Sequence, residues 1–127
     1  GGIPLEEGMR RYRAVKKKPA VVDMGLFTNN LPSDRNELRS AIQETIDDAR
    51  KRNGRVVWST IQFPDRDYTD VNAMIRQMAK KNSDVMGLVD WKQMVEQHPN
   101  YVISDKIHPS EAGAKARIAA YERAART

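Results

Sequence analysis

Three short apolar segments, separated by stretches of helical periodicity, constrain this chain more than any other feature of its sequence. Ala20–Leu26 (AVVDMGL), Arg55–Ile61 (RVVWSTI) and Val85–Val89 (VMGLV) have the length and apolar character of buried strands, the second being rich in β-branched residues. Between the first two, Leu38, Ala41, Ile42, Thr45, Ile46 and Ala49 recur on one helical face, opposite Glu44, Asp47, Asp48 and Lys51. Ser33 or Asp34 suits the N-cap of that helix, Glu37 its first turn, and Asn53-Gly54 its end. A second helix, opened by Asp67 or Thr69, runs through Val71, Met74, Ile75 and Met78 to Asn82. Strands alternating with helices of this length are βαβ units. They predict an α/β fold with a parallel sheet, right-handed crossovers and helices on both faces.

The flanks fit that frame. Leu5–Val15 predicts a helix, with Pro4 at its first turn and Lys16–Lys18 at its C-terminal end, although Gly8 weakens it. A short helix follows Asp90. A last one starts at Pro109 and Ser110 and reaches about Arg123, with Ala112, Ala116, Ile118, Ala119 and Ala120 as its apolar positions beside Tyr121. Three strands are few for an open parallel sheet, so at least one more is expected beside Ala20–Leu26, on the N-terminal side. An uncovered edge there is expected to drive homodimerisation, swapping or aggregation.

The 127 residues suit one domain, 1–127, with a modest core. The absence of cysteine excludes disulfides, thiolate zinc sites and a cysteine nucleophile. No apolar run approaches the ~20 residues of a bilayer-spanning helix, so no membrane span is expected. The net charge is +5, with a cluster at Arg10, Arg11, Arg13, Lys16, Lys17 and Lys18. No aromatic residues interleave with it for base stacking, so it reads as a solvated helix end and nucleic acid is not expected as a partner. An anionic cell-wall or membrane surface is the other reading. The start at Gly1-Gly2-Ile3 reads as a cut or processed piece.

In open parallel sheets, functional side chains lie beyond the carboxyl ends of the strands. Phe27–Asn30, Gln62–Pro64 and Asp90-Trp91 are predicted there, and Ser104–Pro109 precedes the last helix. Within it, Asp105 stands three residues before His108. An aspartate so placed can accept from one imidazole nitrogen, fix the tautomer and leave the other nitrogen as a general base. On spacing alone, a chance pair or a helix-capping aspartate is the commoner explanation. Asp65, Asp67 and Asp70 lack a full metal-ligand pattern and read as capping and solvation, so no metal or other cofactor is expected. Trp91 reads as either a core residue or a sugar platform.

Ser104-Asp105-Lys106-Ile107-His108-Pro109-Ser110-Glu111-Ala112-Gly113 resembles the closing D-x-x-H-P-x-x-x-G motif of the SGNH (GDSL-like) hydrolase superfamily. Leu88–Trp91 with His98-Pro99, and Val56–Thr60 with Pro64, are similar to segments of one subgroup, the domain attached to membrane O-acyltransferases that acetylate cell-wall glycans. Ala20–Leu26 with Thr28-Asn29-Asn30 resembles the G-x-N-D or G-T-N block, except that Phe27 stands where the family has glycine.

The resemblance implies a three-layer, flavodoxin-like α/β/α domain of which this chain is the C-terminal portion. It also implies a serine esterase or O-acyltransferase of bacterial, extracytoplasmic or cell-envelope location. Asp105 and His108 would be the catalytic pair, Asn29 and a backbone N–H of Gly2 the oxyanion donors, and Trp91 a substrate contact. The substrate would be an acylated carbohydrate or another small ester, acetyl foremost. The family's Gly-Asp-Ser block has no counterpart here: Ser33, Ser40, Ser59, Ser83, Ser104 and Ser110 all stand in other contexts. The nucleophile is therefore expected from an upstream or partner segment, and the isolated chain is expected to be inactive. A catalytically inactive SGNH-like binding or structural subunit is the alternative, and a flavodoxin-like interaction domain with a chance Asp-x-x-His is a third.

Overall fold

The computed structural model describes residues 4–25 and 35–126. Its elements follow the order α1 (Leu5–Ala14), β1 (Val21–Asp23), α2 (Arg35–Lys51), β2 (Arg55–Ser59), α3 (Thr69–Lys81), β3 (Met86–Val89), α4 (Trp91–Gln97), a 3₁₀ turn at Pro99–Tyr101, and α5 (Glu111–Ala124). The sheet has three parallel strands in the order β1-β2-β3, with Val22 opposite Val56 and Trp58 opposite Leu88.

Alternation along the strands assigns side chains to two helical layers. Val22, Val56, Trp58, Met86 and Leu88 pack against α1, α2 and α3 in the larger core. Val21, Val57 and Val89 point the other way, into a smaller core with α4 and α5. The protein is thus a mixed α/β structure with helices on both faces of the sheet. Both crossover helices lie on one face, and the chain passes to the other only after β3.

Each strand is shorter than its apolar run, and in each case a polar group sets one of its limits. At β1, the Asp23 carboxylate accepts from the Gly25 N–H at 2.8 Å and turns the chain. At β2, the buried Asn72 side chain binds both backbone groups of Ile61, accepting from its N–H at 2.8 Å and donating to its carbonyl at 2.9 Å. Before β3, the Asn82 carbonyl takes the N–H groups of both Val85 and Met86. The predicted caps of α2 at Ser33 and Asp34 lie outside the described residues. Its stop at Asn53-Gly54 is observed, with Asn53 left-handed at φ 52° and the Gly54 N–H closing on Ala49 O at 2.8 Å.

The last helix departs from expectation. Ile118, predicted to be apolar and inward, is 61% exposed, while Gly113, Ala120 and Ala124 are buried. The face is set by how closely α5 can approach β3. Gly87 leaves room there for the end of the helix, since a Cβ at that position would lie 2.0 Å from the Ala124 carbonyl oxygen. Arg55 then satisfies this same carbonyl through Nε at 2.9 Å.

Two outcomes follow from this packing. Gly87→Ala forces α5 off the sheet and should lower stability by about 1–3 kcal/mol in urea unfolding, the usual range for overpacking. Among the described residues β1 pairs only with β2, so sedimentation should show the chain dimerising or aggregating. A stable, monodisperse monomer would refute an open edge at β1.

Candidate functional site

The segment Ser104–Pro109 folds as a tight loop at the carboxyl end of the sheet. Its base is closed by an antiparallel bridge between Val102 and Pro109 and by the Ile103 N–H on His108 O at 2.9 Å. Lys106 adopts a left-handed conformation at φ 60°, and its N–H donates to Ile103 O at 2.8 Å. The loop is tied to the segment following β2 by Gln62, whose side-chain amide donates to Lys106 O at 3.0 Å. Beyond it, Ser110 caps α5 by accepting from the Gly113 N–H and anchors to Asn100 O at 2.5 Å.

Inside this loop Asp105 and His108 meet. One carboxylate oxygen of Asp105 accepts the backbone N–H groups of Ile107 and His108 at 2.9 and 3.0 Å. The other lies 2.5 Å from His108 Nδ1. The His108 bond, followed by the two backbone donors, holds the Asp105 carboxyl down at about 2. It is therefore ionised across the physiological range. With Nδ1 directed at a carboxylate, the neutral imidazole keeps its proton there and presents Nε2 as a base. Nε2 has no hydrogen-bond partner among the described residues, and the side chain is 58% exposed.

The other expected site residues fare differently. Asn29 and Gly2 lie outside the described residues, as do Phe27 and Thr28. Of the two readings of Trp91 the core one holds and the substrate contact does not: it is 3% exposed, packed in the smaller core, parallel to Tyr101 and covered by the Arg117 guanidinium at 4.9 Å, so it offers no face to a sugar. His98 stacks on Tyr101 with ring centres 4.5 Å apart, a packing role. The described serines do not approach His108 by hydrogen bonding. Ser59 is buried with its hydroxyl on Thr60 O, and Ser110 is committed to the helix cap.

Near the carboxyl end the sequence placed Asp90 but not its partner Arg76, nor Asp23, Tyr121 and Arg117. Asp90 binds Arg76 through both oxygens, at 2.8 and 2.9 Å, and accepts from Thr60 at 2.8 Å. This fixes the start of α4 and takes Asp90 out of consideration as a free base. Tyr121 places its hydroxyl against Gly25, where a Cβ would fall 1.9 Å from the oxygen, and burial raises its phenol pKa. Desolvation also raises the Asp23 carboxyl, against the pull of the Gly25 N–H and the Arg117 charge, although Asp23 as a residue is exposed. Positions 113, 117, 121 and 124 recur at helical spacing, but an arginine inside that stripe reads as solvent-facing.

No protein-family model matches this sequence, and no curated protein matches it significantly.

The low Asp105 value gives a pH test. Its native pKa lies below the ordinary one, so the support it lends the loop is complete above about pH 4. That support is lost as pH falls towards 2. Carboxyl NMR titration should find Asp105 near 2, and His108→Ala should raise it towards the ordinary aspartate range.

Proposed function

We propose that this chain is the C-terminal part of an SGNH-type serine esterase or O-acyltransferase domain, with a flavodoxin-like sheet completed by a strand outside it. The observation that carries the reading is the Asp105–His108 pair, joined at 2.5 Å at the carboxyl end of a parallel sheet with Nε2 unpartnered. The D-x-x-H-P motif around it supports the same reading.

In this reading a serine from another segment comes within reach of His108 Nε2. As its hydroxyl attacks the acyl carbon, the proton passes to Nε2, and Asp105 stabilises the imidazolium without itself being protonated. The Asn29 amide and the Gly2 N–H hold the tetrahedral oxyanion. Collapse breaks the ester C–O bond, and His108 returns the proton to the departing alcohol. Water or a sugar hydroxyl then takes the acyl group from the serine, through the same base. The substrate class is an acyl ester, acetyl foremost, of a cell-wall glycan, which places the protein in a bacterial cell envelope.

The test uses the gene product read from its natural start, with a fluorophosphonate serine probe and an aryl acetate substrate. One labelled serine in a Gly-Asp-Ser segment outside these residues is expected. His108→Ala should lower turnover by at least about 10³-fold, and Asn29→Ala by roughly 10²–10³. A label within this chain, or full activity in His108→Ala, would overturn the proposal. An unreactive intact protein would instead support the non-catalytic alternative.

A further inference from the structure

In a parallel sheet with βα crossovers, the helices that precede the strands end at the amino ends of those strands. Here α1, α2 and α3 all finish there. α5 joins them, because its Ala124 carbonyl meets Arg55 at the start of β2. Each of the four carries basic residues in its last turn. The helix dipole favours a cation or two at each such end. It does not account for Lys16 and Lys17, which lie beyond α1, nor for the division of labour among the cations.

That division is sharp. The arginines tie the ends together. Arg52 donates to Pro19 O at 2.6 Å, joining the end of α2 to the loop before β1. Arg50 binds Asn82 and Asp84 at the end of α3, and Arg55 reaches Ser83 O as well as Ala124 O. The result is one continuous face. The lysines are left over: Lys16, Lys17, Lys51, Lys80 and Lys81 are exposed and make no ion pair among the described residues, and Arg126 is likewise exposed. Acidic groups at this end are already engaged, Asp84 by Arg50, Asp48 by Tyr12, and Asp47 by Gln43. The opposite end mixes Asp65, Asp67, Asp70, Asp105 and Glu111 with Arg66, Lys92, Lys106 and Lys115, so its charges nearly balance.

We propose that the face at the amino ends of the strands docks on an anionic lipid bilayer. Flexible ammonium groups, unpaired and spread over one surface, suit a diffuse layer of negative headgroups. Val15, 47% exposed between Ala14 and the three consecutive lysines, supplies an apolar side chain beside that part of the charge. Nucleic acid fits less well. The face exposes no aromatic ring for stacking, since Tyr12 is buried beneath Lys18. Docking this way turns the Asp105–His108 end away from the bilayer, and the inference stands whether or not that pair is catalytic.

Co-sedimentation of the chain with phosphatidylcholine vesicles, with and without phosphatidylglycerol, tests it. Binding is expected only to the anionic vesicles and should weaken as salt rises. The double variant Lys16→Gln/Lys17→Gln should bind roughly thirtyfold more weakly. The control Lys92→Gln/Lys115→Gln, at the opposite end, should bind as the parent does. Val15→Ser should weaken vesicle binding while leaving retention on heparin unchanged. Absence of binding at low salt, equal losses in the control, or tighter binding to duplex DNA than to vesicles would each overturn the proposal. Circular dichroism of every variant separates these outcomes from unfolding.

Discussion

β2 is a central parallel strand with helices on both faces, and beyond Arg55 it is shut off from water. Val56, Val57, Trp58 and Ser59 are all at most 1% exposed. Every backbone group must then find a partner in a neighbouring strand or a side chain, and every side chain must suit one of two apolar layers. Trp58 meets both demands, filling the larger core while its indole N–H donates to Thr45 Oγ1 at 3.0 Å. Thr45 in turn donates to Ile42 O within α2, so the buried polar pair is fully satisfied. The ladders to β1 and β3, the seat of α2 and the placement of α5 through Arg55 all depend on this strand holding its register.

Fixing β2 also fixes where the chemistry can lie. Its carboxyl end delivers Thr60 to Asp90 and Gln62 to the Lys106 carbonyl, so one short stretch of chain orients both the start of α4 and the Asp105–His108 loop. The contacts are small, but they cross more than 25 residues of sequence in each case and tie the sheet to the segments that lead into α4 and α5. The site is thus held by the sheet and does not depend on the loop alone.

Much of this was legible in the sequence because burial writes periodicity into it. The alternation of Val56 and Trp58 with Val57 and Ser59, and the stripe from Leu38 to Ala49, each follow from a face turned towards a core. Asp105 and His108 were legible for another reason: a three-residue separation allows contact through local geometry, without knowledge of the fold. Strand limits were not legible, because Asn72 past β2 and Asn82 before β3 set them through bonds that sequence spacing does not reveal. Ile118 left its expected surroundings for a related reason. The approach of α5 is set by Gly87 and Gly113, small residues whose value lies in what they leave unfilled. Arg117 was missed because its stem follows the buried stripe while its charge rests on aromatic rings.

The exposed position of the Asp105–His108 pair bears on what orients it. Water screens a surface ion pair strongly, so attraction alone would leave a side chain that is 58% exposed free to rotate away. The backbone does the orienting instead. Lys106 holds a left-handed conformation, a strain of order 1 kcal/mol for a residue with a Cβ. That conformation brings two N–H groups onto one oxygen of Asp105, leaving the second oxygen in line with Nδ1. The imidazole is therefore set by loop geometry before any partner arrives. A segment covering it would remove water and strengthen a bond already aligned, without requiring the loop to move. The Asp105–His108 pair is thus fully formed although no serine of the described residues is hydrogen-bonded to His108.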